Sequence, residues 1–265
     1  MLKGYFTPRT PLGLAAAAPP PPWHYSSDIV GVEYQADPKA TAALLPPGLS
    51  PDPKTNGHAA LLFLDWQFTA QNDELLDPAR YQYREAFVLI DAVWRDTPVM
   101  FCPFIYVDND AAFARGWAQG FPKRIGSVFQ TRAFAAPSAA GGPVAPGRRF
   151  AGTVAAHGVR LAEARITLEK PEPDVTKIFN RPTVNVRWFP RLAAGEHDKP
   201  AVNELALSIT DDLRIVDMWT GAAEVRMPEV AGEEMHMLAP VRTGLGFRCS
   251  MSYSVTDLRT LQPGA

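Results

Sequence analysis

Short apolar runs of period two recur along most of this chain, and proline or glycine breaks nearly all of them, whereas helical spacing is confined to a few brief stretches. Alternation puts successive side chains on opposite faces of an extended strand. Strand patterns are read at Ile29–Tyr34, His58–Phe68, Tyr81–Trp94, Val99–Val107, Ile125–Phe134, Phe150–His157, Val159–Leu168 and Thr183–Phe189. Further ones follow at Glu204–Leu207, Leu213–Thr220, Ala222–Met227 and Val241–Val255. With 26 prolines and 19 glycines in 265 residues, the chain is expected to be mostly β in an α+β frame. The expected form is an antiparallel sheet closed into a cone-like barrel. Residues 1–22 end in four prolines and read as an extended arm on the surface or on a neighbouring subunit. Residues 23–265 read as one domain.

Two short helices are expected. Asp37 caps one, with Pro38 in its first turn. Asp110 caps the other, Asp110–Gln119, and Gly120 and Pro122 stop it. Gln71–Arg80 reads as a polar loop.

A net charge of −2 argues against nucleic acid as the main partner. No apolar run is long enough to span a bilayer, and Pro8, Pro11 and Gly13 interrupt any leader-like core. A cytoplasmic protein is therefore expected. Cys102 and Cys249, both among apolar residues, read as buried thiols. The five histidines lack metal-ligand spacing, and Walker loops, GxGxxG and nucleophile elbows are missing. Neither a metal nor a cofactor is expected.

Two stretches carry chemistry. Just past the second helix, Lys123 and Arg124 stand side by side in what reads as a loop. In an apolar setting an adjacent cation and desolvation both lower a lysine pKa, and a neutral amine forms a Schiff base with a ketone. The alternative is a solvated pair in a turn. Upstream, Tyr81, Tyr83, Glu85, Phe87 and Leu89 share one strand face. A lone carboxylate there is poorly solvated and suited to acid–base work. Equally, Glu85 could sit on an outer face paired with Arg84 or Arg95.

Gly120-Phe-Pro-Lys-Arg124, Tyr83-x-Glu85, Arg181-Pro182 before a strand ending Phe189-Pro190, Trp219-Thr-Gly221 and Ala239-Pro-Val241, in this order, resemble the acetoacetate decarboxylase-like superfamily over about Ile29–Leu258. The resemblance implies a cone-like barrel, a cavity holding the lysine, and a homo-oligomer, with a tetramer favoured. It implies Lys123 as Schiff-base nucleophile, Arg124 as the neighbouring cation and Glu85 as the active-site glutamate. Two departures stand out. Ser27 occupies the position of the decarboxylases' substrate arginine, and no glutamate lies at Phe63–Asp65 for their second carboxylate. With Gln119 before the lysine and hydroxyls from Tyr83 and Tyr253, the chain is similar to the branch acting on pyruvate-like 2-oxo acids. That branch condenses them with aldehydes and dehydrates the product, or hydrates unsaturated 2-oxo acids. Acetoacetate decarboxylation is favoured instead if another arginine, such as Arg115, reaches the cavity. A barrel that binds small acids without turnover is the third reading.

Overall fold

The computed structural model describes residues 1–70, 74–174 and 179–261. In chain order these form β1 (Trp23–Gln35), α1 (Pro38–Leu44), β2 (Ser50–Pro51), β3 (His58–Thr69), α2 (Pro78–Tyr81), β4 (Gln82–Trp94), β5 (Thr97–Val107), α3 (Asp110–Gln119), β6 (Lys123–Ile125) and β7 (Ser127–Gln130). They continue with β8 (Arg149–Ala156), β9 (Val159–Pro171), β10 (Val184–Phe189), β11 (Val202–Arg226) and β12 (Arg242–Leu261). Helix α1 carries the expected cap, with Asp37 accepting from the Lys39 N–H. The expected loop Gln71–Arg80 instead holds a 3-10 turn at Glu74–Leu76 and helix α2, and its first three residues lie outside the described ones.

All the strands join one large sheet, ordered β6-β5-β4-β3-β1-β12-β11-β9-β8-β7, with β10 added on β11 and β2 on β4. Its pairings are antiparallel except β5 with β6. The sheet does not close as the expected barrel. Its two end strands, β6 and β7, are joined by Gly126 and form no ladder with each other among the described residues. Gly126 donates to the Val107 carbonyl and passes so close to the Ala155 carbonyl that a Cβ would sit 2.8 Å from it. The gap is bridged by one tight backbone passage.

The long run Ala59–Leu64 is apolar at every position because both faces of β3 are covered. On one face, Val32, Leu61, Phe63 and Val88 pack against Phe150, Val154 and Ile166 of β8 and β9. On the other, Tyr25, Ile29, Leu64, Trp66 and Tyr83 form a second core rich in aromatic rings. That second face carries the candidate site.

The three sequence stretches Glu204–Leu207, Leu213–Thr220 and Ala222–Met227 all fall, but for Met227, within the single strand β11. Register shifts at Asp211/Arg214 and Val216/Trp219 interrupt its alternation, and Asp212 and Asp217 take positive φ there. Bulges bend a strand, and this bend carries Ser208, Thr210 and Leu213 to the rim of the aromatic face. Ile125–Phe134 divides at Gly126 into β6 and β7.

The N-terminal segment lies on its own chain. Arg80 Nη2 donates to the Ala16 carbonyl at 2.8 Å, Trp23 Nε1 donates to the Pro19 carbonyl at 2.9 Å, and Ala18 is fully buried. Cys102 and Cys249 are buried and free. No helix among the described residues is long and apolar enough to cross a membrane.

Gly31 of β1 stands opposite Phe247 of β12, and a Cβ there would overlap the fully buried ring. Overpacking of this kind costs about 1–3 kcal/mol. Gly31→Ala is expected to lower the melting temperature by roughly 2–12 °C on the scale for domains of this size, measured by calorimetry.

Candidate active site

Strand register assembles the site. Glu85 of β4 faces Leu64 of β3 and Val107 of β5, while Tyr83 faces Trp66. On the edge strand β6, Lys123 lies beside Ile105. Residues in register across a sheet share a face, so Lys123, Glu85, Tyr83 and Trp66 converge. From β1 and β12, Tyr25 and Tyr253 join them with their rings stacked at 5.1 Å. Together with Gln119 they line a cavity of about 180 Å³.

At its centre Lys123 Nζ lies 2.5 Å from Glu85 Oε1, and both residues are buried. Trp66 Nε1 donates to Glu85 Oε2 at 3.0 Å, which fixes the carboxylate from behind. Trp66 follows the stretch where the family's second glutamate is wanting. Burial chiefly, with help from the nearby Arg115 charge, lowers the Lys123 pKa, although the Glu85 carboxylate opposes the shift. Tyr83 and Tyr253 are pushed well above the usual phenol range, chiefly by burial and further, for Tyr83, by the Glu85 carboxylate, so both remain O–H donors.

Helix α3 holds the lysine. Its N-cap is Asn109, which accepts from the Ala112 N–H; the expected cap, Asp110, is instead the first helical residue and accepts from the Ala111 N–H. Gly120 ends the helix in the left-handed conformation, as expected. The buried face of α3 presents Arg115, Gly116 and Gln119. Gly116 cradles the lysine stem, since a Cβ there would overlap Lys123 Cδ and Cε. Trp117 Nε1 donates to the Lys123 carbonyl at 2.8 Å.

Lys123 and Arg124 lie in a strand rather than a loop, and this changes the role of Arg124. Neighbours on a strand point to opposite faces. Arg124 turns away from the cavity and pairs with Glu233 at 2.6 Å, beside the Tyr106 hydroxyl at 3.4 Å. The cation near Lys123 is Arg115, eight residues earlier on the buried helix face. Arg115 is 2% exposed, and its Nε donates to the Tyr25 hydroxyl at 3.0 Å. Its guanidinium lies 3.7 Å from the Phe68 ring centroid, and Nη2 has no hydrogen-bond partner among the described residues. It sits behind Tyr25 and is not part of the cavity wall. Of the residues singled out in the sequence, Lys123, Glu85, Gln119, Tyr83 and Tyr253 line one cavity, and Arg124 does not. Sequence reasoning missed Tyr25, Trp66 and Gly116, whose placement depends on strand partners and helix docking.

Such an arrangement supplies a desolvated amine, a carboxylate touching it, and phenol and amide donors around both. Two outcomes are expected. Gly116→Ala displaces the lysine stem and lowers kcat at least about tenfold while circular dichroism stays native, in line with the sensitivity of reacting groups to displacements near 1 Å. Arg115→Met removes a charge that favours the neutral amine. The Lys123 pKa then rises, and the acid limb of amine reactivity, read as imine-trapping rate against pH, moves to higher pH.

A family model described as acetoacetate decarboxylase matches residues 6–263. Among solved structures, the enduracididine biosynthesis enzyme MppR, complexed with the condensation product of pyruvate and imidazole 4-carboxaldehyde, is 33% identical with a TM-score of 0.92, covering 100% of this chain and 98% of that one. The same enzyme complexed with pyruvate gives 33% identity and a TM-score of 0.91, covering 99% of each chain. An acetoacetate decarboxylase-like enzyme from Sphingomonas wittichii RW1 is 25% identical with a TM-score of 0.89, covering 99% of this chain and 100% of that one. A search of curated proteins finds no match. A family match over nearly the whole length, with the fold that accompanies it, means that this chain belongs to the acetoacetate decarboxylase family.

Proposed function

We propose that this protein is a Schiff-base-forming lyase that joins a pyruvate-like 2-oxo acid to an aldehyde and removes water, or runs the same steps backwards to hydrate an unsaturated 2-oxo acid. The observation that carries this reading is the buried Lys123–Glu85 contact, ringed by tyrosine hydroxyls. The pyruvate and condensation-product complexes of MppR lend it support.

In this reading the Lys123 amine adds to the ketone carbon, and loss of water leaves an iminium. The Glu85 carboxylate takes a proton from the adjacent carbon, and the electron pair moves into the iminium to give an enamine. The enamine carbon attacks the aldehyde carbon, and the new alkoxide takes a proton from Tyr83 or Tyr253. The tyrosinate so formed takes a second proton from the former enamine carbon, and the hydroxyl leaves with the proton held by Glu85 as water, which forms the carbon–carbon double bond and restores both groups. Water then hydrolyses the iminium and frees Lys123. Per turnover, one 2-oxo acid and one aldehyde give one unsaturated 2-oxo acid and one water.

Gln119, held by its own donation to the Arg115 carbonyl at 3.3 Å, offers the substrate carboxylate a neutral grip. The Arg115 charge behind it draws that carboxylate in without touching the reacting carbons.

Borohydride with pyruvate is expected to fix a reduced adduct on Lys123, located by peptide mass mapping. Lys123→Ala is expected to abolish it, and an adduct that persists in this variant overturns the assignment. Glu85→Gln is expected to slow formation of the ultraviolet-absorbing unsaturated product by about 10²–10⁴-fold, the range for a positioned acid–base group.

A further inference from the structure

The steps above use one end of the cavity. The other end is walled by the segment before β10, where Arg181 has no part in the chemistry. That segment is pinned to β5, since Met100 N–H donates to the Pro182 carbonyl at 2.9 Å and Met100 bridges Thr183. Arg181 Nη1 lies 2.7 Å from Asp52 Oδ2 and 3.5 Å from Asp91 Oδ2. Both aspartate side chains are nearly inaccessible, at 2% and 7% exposure. Both contacts use the same nitrogen, and Nε and Nη2 have no protein partner among the described residues. A guanidinium carries its donors in a rigid fork, so fixing one arm leaves the others aimed and available.

Its position defines what it can read. Arg181 lines the lysine cavity and also an adjoining polar cleft of about 340 Å³, with Leu89 and Met100 as the rest of the shared wall. Leu89 is four residues along β4 from Glu85, which at the strand rise is roughly 13 Å. A three-carbon acid held on Lys123 does not span that distance. A chain joined to it by condensation reaches toward it. Thr183, Ser208 and Thr210 add hydroxyls to the same cavity. The two aspartates offset the arginine charge, so its free N–H groups act as oriented donors and not as a bare cation.

We propose that Arg181 is a specificity-determining residue: it selects second substrates whose far end carries a hydrogen-bond acceptor, a carboxylate or carbonyl, over aldehydes that end in hydrocarbon. This rests on the condensation reading above. An acceptor-tailed substrate satisfies the fork, whereas a hydrocarbon tail strips water from it without replacement.

The test compares kcat/KM for glutaric semialdehyde, its amide and pentanal, which share one chain length, with pyruvate as co-substrate. Wild type is expected to prefer the two acceptor-tailed aldehydes by roughly tenfold or more. R181M is expected to bring that ratio to about one. R181K, which keeps a cation for Asp52 and Asp91 but lacks the fork, is expected to cut it several-fold, and it serves if R181M does not fold. Borohydride trapping of pyruvate by wild type is run alongside. Trapping with no aldehyde preference, or a preference unchanged in R181K, overturns the role of Arg181 alone. Failure of wild type to trap pyruvate overturns this proposal together with the reaction it rests on.

Discussion

An ammonium and a carboxylate removed from water are each costly, by several kcal/mol even after relaxation, and they tolerate burial only through each other. Lys123 and Glu85 meet at 2.5 Å in a site where both are nearly inaccessible. Most of the surrounding architecture serves that contact. The aromatic face of the sheet excludes water, the Trp66 N–H anchors the far oxygen of the carboxylate, and α3 clamps the lysine by stem and carbonyl. Removing one partner of such a pair leaves an uncompensated charge, at a typical cost of 3–5 kcal/mol. The same burial makes the amine easier to deprotonate, and Arg115 adds to that bias.

The sheet supplies this environment through a division of labour between its faces. Side chains on one side of β1, β3 and β4 form a core with β8 and β9. Those on the other side build the cavity. Wall and core overlap on that side, since Tyr25, Leu62, Trp66 and Tyr83 belong to both. The bulged middle of β11 and the pinned segment before β10 add the polar rim of the cavity.

Much of this was legible in the chain. Alternation grouped Glu85 with Tyr83, Phe87 and Leu89 on one strand face while leaving open whether that face turned inward, and Gly120 marked the helix end. What escaped was tertiary. The adjacency of Lys123 and Arg124 suggested a shared environment, but three strand residues after Phe121-Pro122 send the two side chains apart. The true neighbour, Arg115, is distant in sequence and brought close by the helical turn and the docking of α3. Trp66 stands between Asp65 and Gln67 in ordinary strand alternation, where nothing distinguishes a ring that packs from a ring that also donates to a carboxylate. Barrel closure failed as an expectation because alternation reports strands and faces, and says nothing of whether the last strand meets the first.

The outward turn of Arg124 has a consequence for β6. A slip of one residue along β5 would send the lysine to the reverse side and put a permanently charged guanidinium in the chamber, abolishing the proposed imine chemistry without altering a single side chain. The Arg124–Glu233 ion pair and the Tyr106 hydroxyl beside it resist that slip from the far side of the sheet. An ion pair on the far side of the sheet thus acts as a register lock, and which of two neighbouring cations faces the cavity is kept by contacts outside it.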